Sequence, residues 1–273
     1  MQTMTDHDDV APRAAAGDVP LLRLRGVSKH FGPVEALTGV DLDIPAGMVT
    51  ALVGDNGAGK SSFIKCISGI YVPDSGEMWW EGSPVHVRTP SEAATLGIQT
   101  VYQDLALCDN LDIVQNMFLG RERLRRTGLD EVSMENAARE TLTSLAVTTV
   151  RSVRQQVASL SGGQRQSVAI AKAVLWNSKL VIMDEPTAAL GVAQTTMVLD
   201  LVRRLADRGH AVMIVSHNLN DVFQVADRIA VLRHGRMVDV RPVAQSDRQI
   251  VVDLMTSGSS TRTAGPRESE AGR

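Results

Sequence analysis

Cysteine is nearly absent: the 273 residues hold two, Cys66 and Cys108, and neither belongs to a CxxC pair or a Cys/His cluster. That argues against a disulfide framework and a structural zinc site, and points to a reduced, cytosolic compartment. Cys66 stands among apolar residues of an expected helix, where a small core residue is the plain reading. No apolar run is long enough to span a bilayer. The opening "MQTMTDHDDVAPRAAAGDVP" has no apolar signal segment and reads as a loose, disordered leader over residues 1–20. A net charge of -3 leaves no electrostatic footprint for nucleic acid, so no nucleic-acid partner is expected. Internal repeats, coiled-coil arms and zinc inserts are missing as well.

What remains is globular: 44% hydrophobic and 22% charged residues, with length for one large domain or a domain carrying an inserted lobe. "LLRLRGVSKHFG" and "ALTGVDLDIPAG" alternate apolar and polar positions, as half-buried strands of a small antiparallel sheet do. "MVTALV" is almost continuously apolar, the pattern of a strand covered on both faces. "GEMWWEGSPVHV" has hairpin character, with Trp79 and Trp80 packed in the sheet. Between about Asp104 and Gln156 the pattern turns helical: Met134, Ala138, Leu142 and Leu145 fall on one stripe, with Ser133 the expected N-cap. This block, about 104–165 in all, interrupts two stretches of α/β texture and so reads as a helical lobe inserted in a parallel-sheet core. Downstream, "QRQSVAIAKAVL", "LVIMDE", "TTMVLDLVRRLADRG" and "AVMIVSH" alternate helix with buried strand, and Gly209 stands where a C′ glycine belongs. "RIAVLRHGRMVDV" adds a last hairpin, and residues 257–273 have the composition of a disordered tail.

"GDNGAGKS" matches the P-loop pattern, with a buried strand before it and helix-forming "SSFIKCI" after it. In such a loop the backbone N–H groups of Gly54, Asp55, Asn56, Gly57, Ala58 and Gly59 wrap phosphate. Lys60 reaches the outer phosphates, Ser61 ligates Mg²⁺ and Ser62 donates to an inner phosphate. "LVIMDE" ends an apolar strand on two acids: Asp184 is the expected magnesium partner and Glu185 the expected base for water. Gln103 and His217 close the apolar strands "IQTVY" and "AVMIVS", where parallel sheets gather ligand groups. His217 also reads as an ordinary residue at a helix start. "SLSGGQRQSV" offers a second anion site, the free N–H groups of Ser161, Gly162 and Gly163, unless Ser161 is simply the N-cap.

The order P-loop, glutamine, LSGGQ, Asp-Glu strand and strand-end histidine resembles the nucleotide-binding subunit of ABC transporters, from about Leu21 to Arg241. The resemblance implies the ABC ATPase fold over residues 21–256: an α/β P-loop NTPase core with a parallel sheet, an N-terminal antiparallel β subdomain and an inserted α-helical subdomain. It makes the chain an ATPase using ATP and Mg²⁺. Ser159 to Gln164 become the signature motif, Gln103 the Q-loop and a metal-site residue with Ser61 and Asp184, Glu185 the Walker B glutamate and His217 the switch histidine. Phe31, in "KHFGPVEAL", matches the aromatic that stacks on adenine, with sheet packing the alternative.

Two such subunits pair head to tail, so Ser161, Gly162, Gly163 and Gln164 complete the partner's nucleotide pocket. Ser161 and Gly163 are then expected to matter only in the dimer. "LVGDNGAGKS", "DEPTAALGV" and "VSHNLNDVFQVADRIAVLRHGR" are similar to the simple-sugar import branch in its single-cassette, homodimeric form. That branch implies an integral-membrane permease touching the segment Leu105 to Leu119, which carries Leu107, Leu111, Val114, Met117 and Phe118, with the lobe's own core the alternative for some of these residues. It also implies, indirectly, an extracytoplasmic sugar-binding protein, with the subunit held at the cytoplasmic face of the inner membrane. Gly191 departs from the family's common D-loop aspartate. The alternatives are an ABC ATPase for another small solute, a non-transport ABC ATPase and a regulatory module without hydrolysis.

Overall fold

The computed structural model describes residues 19–126 and 128–259, so the expected leader and tail lie outside the described residues except at 19–20 and 257–259. Alternating burial builds β1 (Leu22–Phe31) and β2 (Val34–Ile44): Leu22, Leu24 and Val27 of one face Leu37, Val40 and Leu42 of the other inside the protein. Every residue of β3 (Val49–Val53) is buried, as a strand covered on both faces must be. Next come α1 (Lys60–Ile67), β4 (Ser75–Trp80) and β5 (Ser83–Val85), with Trp80 5% exposed and paired to Leu22. A short α2 (Pro90–Leu96), started by the Thr89 cap and Pro90 and stopped at Gly97, leads to β6 (Ile98–Val101).

The helical segment holds α3 (Ile113–Phe118), a two-stranded hairpin of β7 (Leu124–Arg125) and β8 (Gly128–Leu129), α4 (Glu131–Ser144) and α5 (Gly162–Leu175). Met134, Ala138, Leu142 and Leu145 are buried on the expected stripe. The expected cap is displaced. Asp130 caps α4, accepting from the Ser133 N–H at 3.1 Å, and Ser133 lies inside the helix with its hydroxyl accepting from Arg123 at 2.6 Å. The hairpin delivers the chain at Asp130, where a carboxylate also suits the positive helix end. The segment Leu105 to Leu119 divides: Val114, Met117 and Phe118 are each 1% exposed and belong to the core, as the alternative for this segment has it, whereas Leu119 is 46% exposed.

The core resumes with β9 (Leu180–Asp184), α6 (Val192–Asp207), β10 (Ala211–Val215), α7 (Leu219–Val225), the hairpin of β11 (Arg228–Arg233) and β12 (Arg236–Pro242), and α8 (Arg248–Ser257). Gly209, at φ 93°, follows the C-cap of α6 as expected. Two sheets result. The four-stranded one runs β2-β1-β4-β5 and is antiparallel; the six-stranded one runs β12-β11-β3-β10-β9-β6 and is parallel but for β12. Among the described residues no helix is long and apolar enough to cross a membrane.

Candidate phosphate-binding and hydrolytic site

Residues 54–59 leave the buried end of β3 and turn into α1, exposing Asp55, Asn56 and Gly57 at the crest. Gly59 is the N-cap of α1 at φ 103°, and a Cβ there would lie 2.5 Å from the Ala36 carbonyl oxygen, so only glycine fits. Lys60 folds back over the loop, its Nζ donating to the carbonyls of Gly54 at 2.6 Å and Asp55 at 2.9 Å. Burial pushes its pKa down, opposed by the carboxylates of Glu185, Asp184 and Asp55, which places those acids around the same ammonium. Ser61 and Ser62 occupy the first turn of α1, the former exposed.

The parallel register brings the other groups to this end of the sheet. Leu52 pairs with Val215 and Val215 with Asp184, so three strands finish side by side. Burial, and next the neighbouring Glu185, push the Asp184 carboxyl above its ordinary pKa, while Lys60 and Lys65 pull it down. Glu185 leaves β9 at φ 51°, a left-handed conformation strained for a residue with a side chain. Its N–H donates to the Val215 carbonyl at 2.9 Å, and its Oε1 lies 2.8 Å from Nδ1 of His217. His217 thus stands just before α7 with its ring on the Glu185 carboxylate. Gln103 sits two residues past the end of β6, exposed, on the strand flanking β9.

Among the described residues no group of three or more His, Cys, Asp or Glu side chains could by itself hold a metal ion. The donors at hand suit Mg²⁺ nonetheless. Asp184, Ser61 and Gln103 offer oxygen atoms only, and magnesium takes a few protein oxygens together with phosphate and water. Burial and the neighbouring Glu185 carboxylate both disfavour negative charge at the half-buried Asp184, and a cation bound there would relieve that cost.

Phe31 ends β1 at 40% exposure, meeting Tyr71 edge-on with centroids 5.0 Å apart and with Lys29 Nζ over its ring at 5.6 Å, so packing and partial exposure coexist. Ser161 is the N-cap of α5 in a reciprocal capping box: its backbone N–H donates to Gln164 Oε1 at 2.8 Å, and its Oγ accepts from the Gln164 N–H at 3.4 Å. Gln164 also donates to the Thr149 carbonyl at 2.6 Å. Gly162 and Gly163 lie against the segment from Leu190 into α6; a Cβ on Gly163 would stand 2.8 Å from Met197 Cε and 3.0 Å from Gln194 Cβ. Ser161 and Gly163 thus also serve packing and capping within their own chain. Gly191 caps α6 at φ -73° with open space around it.

Sequence reasoning missed Asn116. It is fully buried in α3, accepts from the Cys108 N–H at 2.7 Å and donates to the carbonyls of Cys108, Leu111 and Asp112, pinning the loop that follows Gln103. A polar residue inside the apolar run "IVQNMF" was the available signal.

The family model described as "ABC transporter" matches residues 37–188. The chain is 49% identical over 229 residues to the fructose import ATP-binding protein FrcA of Rhizobium meliloti, covering 81% of this chain and 88% of that one. It is 44% identical over 237 residues to the xylose/arabinose import ATP-binding protein XylG of Sulfolobus acidocaldarius, covering 87% and 94%. Against the ribose import ATP-binding protein RbsA 1 of Rubrobacter xylanophilus the identity is 42%, covering 93% of this chain and 50% of the longer relative. Among solved structures, the dimeric post-hydrolysis state of the ATP-binding cassette MJ0796 bound to ADP and Pi superposes with a TM-score of 0.68 at 26% identity, covering 81% of this chain and 98% of that one. With the motif order and the sheet order already in place, these likenesses show that the chain belongs to the ABC transporter family, as one of its ATP-binding cassettes.

Proposed function

We propose that the chain is the ATP-hydrolysing subunit of an importer for a simple sugar, working as a head-to-tail homodimer at the cytoplasmic face of the cell membrane beneath a separate permease. The observation that carries the hydrolytic part is the Glu185–His217 contact of 2.8 Å, beside Asp184 and Lys60 at one end of the parallel sheet. Glu185 takes the proton of the attacking water, and His217 orients that carboxylate and faces the transferring phosphoryl group. The loop amides and Lys60 stabilise charge on the phosphate oxygens. Asp184, Ser61 and Gln103 would hold Mg²⁺, which neutralises phosphate charge when bound. Phe31, 40% exposed, meets the adenine. Ser161 to Gln164 serve the nucleotide held by the partner's phosphate loop.

The sugar reading is supported by the names of the relatives, which import fructose, xylose or arabinose, and ribose. The solute itself meets the permease and an extracytoplasmic binding protein, never this chain. Purification of the tagged chain from its own cells tests the whole reading. A permease pair should copurify, Mg²⁺-dependent ATPase activity should rise in the complex, and Lys60→Ala should abolish sugar uptake. Copurifying ribosomes or DNA, or uptake that survives the Lys60→Ala change, would overturn it.

A further inference from the structure

We infer that the turn between β11 and β12 moulds the phosphate loop, and that Gly235 is a positioning residue for nucleotide binding. The inference rests on the nucleotide reading above and concerns a segment outside every phosphate motif. Gly235 donates its N–H to the Ala58 carbonyl of the loop at 2.9 Å and accepts from the Thr38 N–H of β2 at 2.8 Å, so one residue bridges loop and sheet. The packing is as close as backbone allows. A Cβ on Gly235 would lie 2.8 Å from the Ala36 carbonyl oxygen, and a Cβ on Gly59 would lie 2.5 Å from the same oxygen and 3.5 Å from the Gly235 Cα. A Cβ on Gly54 would collide with the Leu232 carbonyl. The first and last glycines of the loop therefore both rest on this hairpin.

The turn is itself held from behind. His234 and Gly235 are both left-handed, at φ 45° and 72°, and Arg233 Nε donates to the Thr256 carbonyl of α8 at 3.1 Å. Phosphate recognition depends on the direction of successive loop N–H groups, and that direction changes when the Ala58 carbonyl loses the Gly235 N–H donor or the peptide is pushed aside. Glu185, His217 and Asp184 make no contact with the turn in the hydrogen bonds described above, so a shifted turn weakens nucleotide binding before it touches the hydrolytic step.

Gly235→Ala tests this against Gly209→Ala, which places the same side chain at φ 93° where nothing lies within 4 Å. In the full chain, the dissociation constant for MgATP should rise by more than about fivefold for Gly235→Ala and not for Gly209→Ala, with turnover at saturating ATP kept. A smaller rise, or a loss confined to turnover, overturns the inference. If Gly235→Ala does not fold, amide exchange in the wild-type chain decides: MgATP should slow exchange at Gly235 together with residues 54–61, and unchanged exchange at Gly235 overturns it. Failure of the wild-type chain to bind MgATP would count against the nucleotide reading instead.

Discussion

Glu185 joins two demands that one substitution cannot separate and two can. Its φ of 51° costs a residue with a Cβ about 1–2 kcal/mol. Its carboxylate, 16% exposed, holds the 68% exposed His217 at 2.8 Å. Glu185→Gln keeps the backbone conformation, the shape and a partner for Nδ1, so stability should move by no more than about 0.5 kcal/mol. The base is gone, and turnover should fall about 10²–10⁴-fold. Glu185→Gly releases the strain and forfeits a hydrogen bond whose partner water can serve, worth about 0.5 kcal/mol at that exposure. The remainder is a gain of about 0.5–1.5 kcal/mol in an equally inactive protein. Urea unfolding and Mg²⁺-dependent phosphate release read both arms. Wild-type turnover in Glu185→Gln would refute the assignment of the base, and a Glu185→Gly variant less stable than wild type would refute the strain argument.

Three further outcomes follow from the same geometry. The Asp184 carboxyl has a pKa raised above 3.8 by burial and by Glu185, so its contribution to stability is present below 3.8 and lost as pH rises through the folded value. Asp184→Asn should therefore melt above wild type at neutral pH, the gap closing in acid, while Mg²⁺-dependent hydrolysis disappears; a gap that widens in acid would contradict the sign. Asp130→Ala should cost about 0.5–2 kcal/mol in chemical denaturation, more than Ser133→Ala, because Asp130 is the cap. Gly191→Asp should stabilise by a few tenths of a kcal/mol, since the N-cap of α6 has extended backbone and empty space for a side chain; a lower melting temperature would show that the space is not free.

Much of this architecture was legible because its causes are local. Continuous burial marked β3, β9 and β10, alternation marked β1 and β2, and the phosphate loop carries its own chemistry in consecutive residues. The short helices α2, α7 and α8 left weaker traces, since seven to ten residues hold too few turns for a stripe to stand out. Asp130 and Ser133 are equally good cap residues by type, and the approach of the β7–β8 hairpin chose between them. The roles of Gly163 and Gly235 depend on backbone and side chains far along the chain, Met197 and Gln194 for one and Ala58 and Ala36 for the other. A glycine before an arginine in a hairpin reads as a turn whatever it touches.

The order of the parallel sheet also bears on how the protein comes off the ribosome. β3, which ends in the phosphate loop, lies between β10 and β11, and both of those strands are encoded in the last quarter of the chain. During most of its synthesis this five-residue apolar strand has neither neighbour, and its edges stay open to wrong partners. Long-range parallel pairing of this kind forms late and slowly. A nascent chain halted after α5 owns every residue of the phosphate loop and lacks the two strands that shape it.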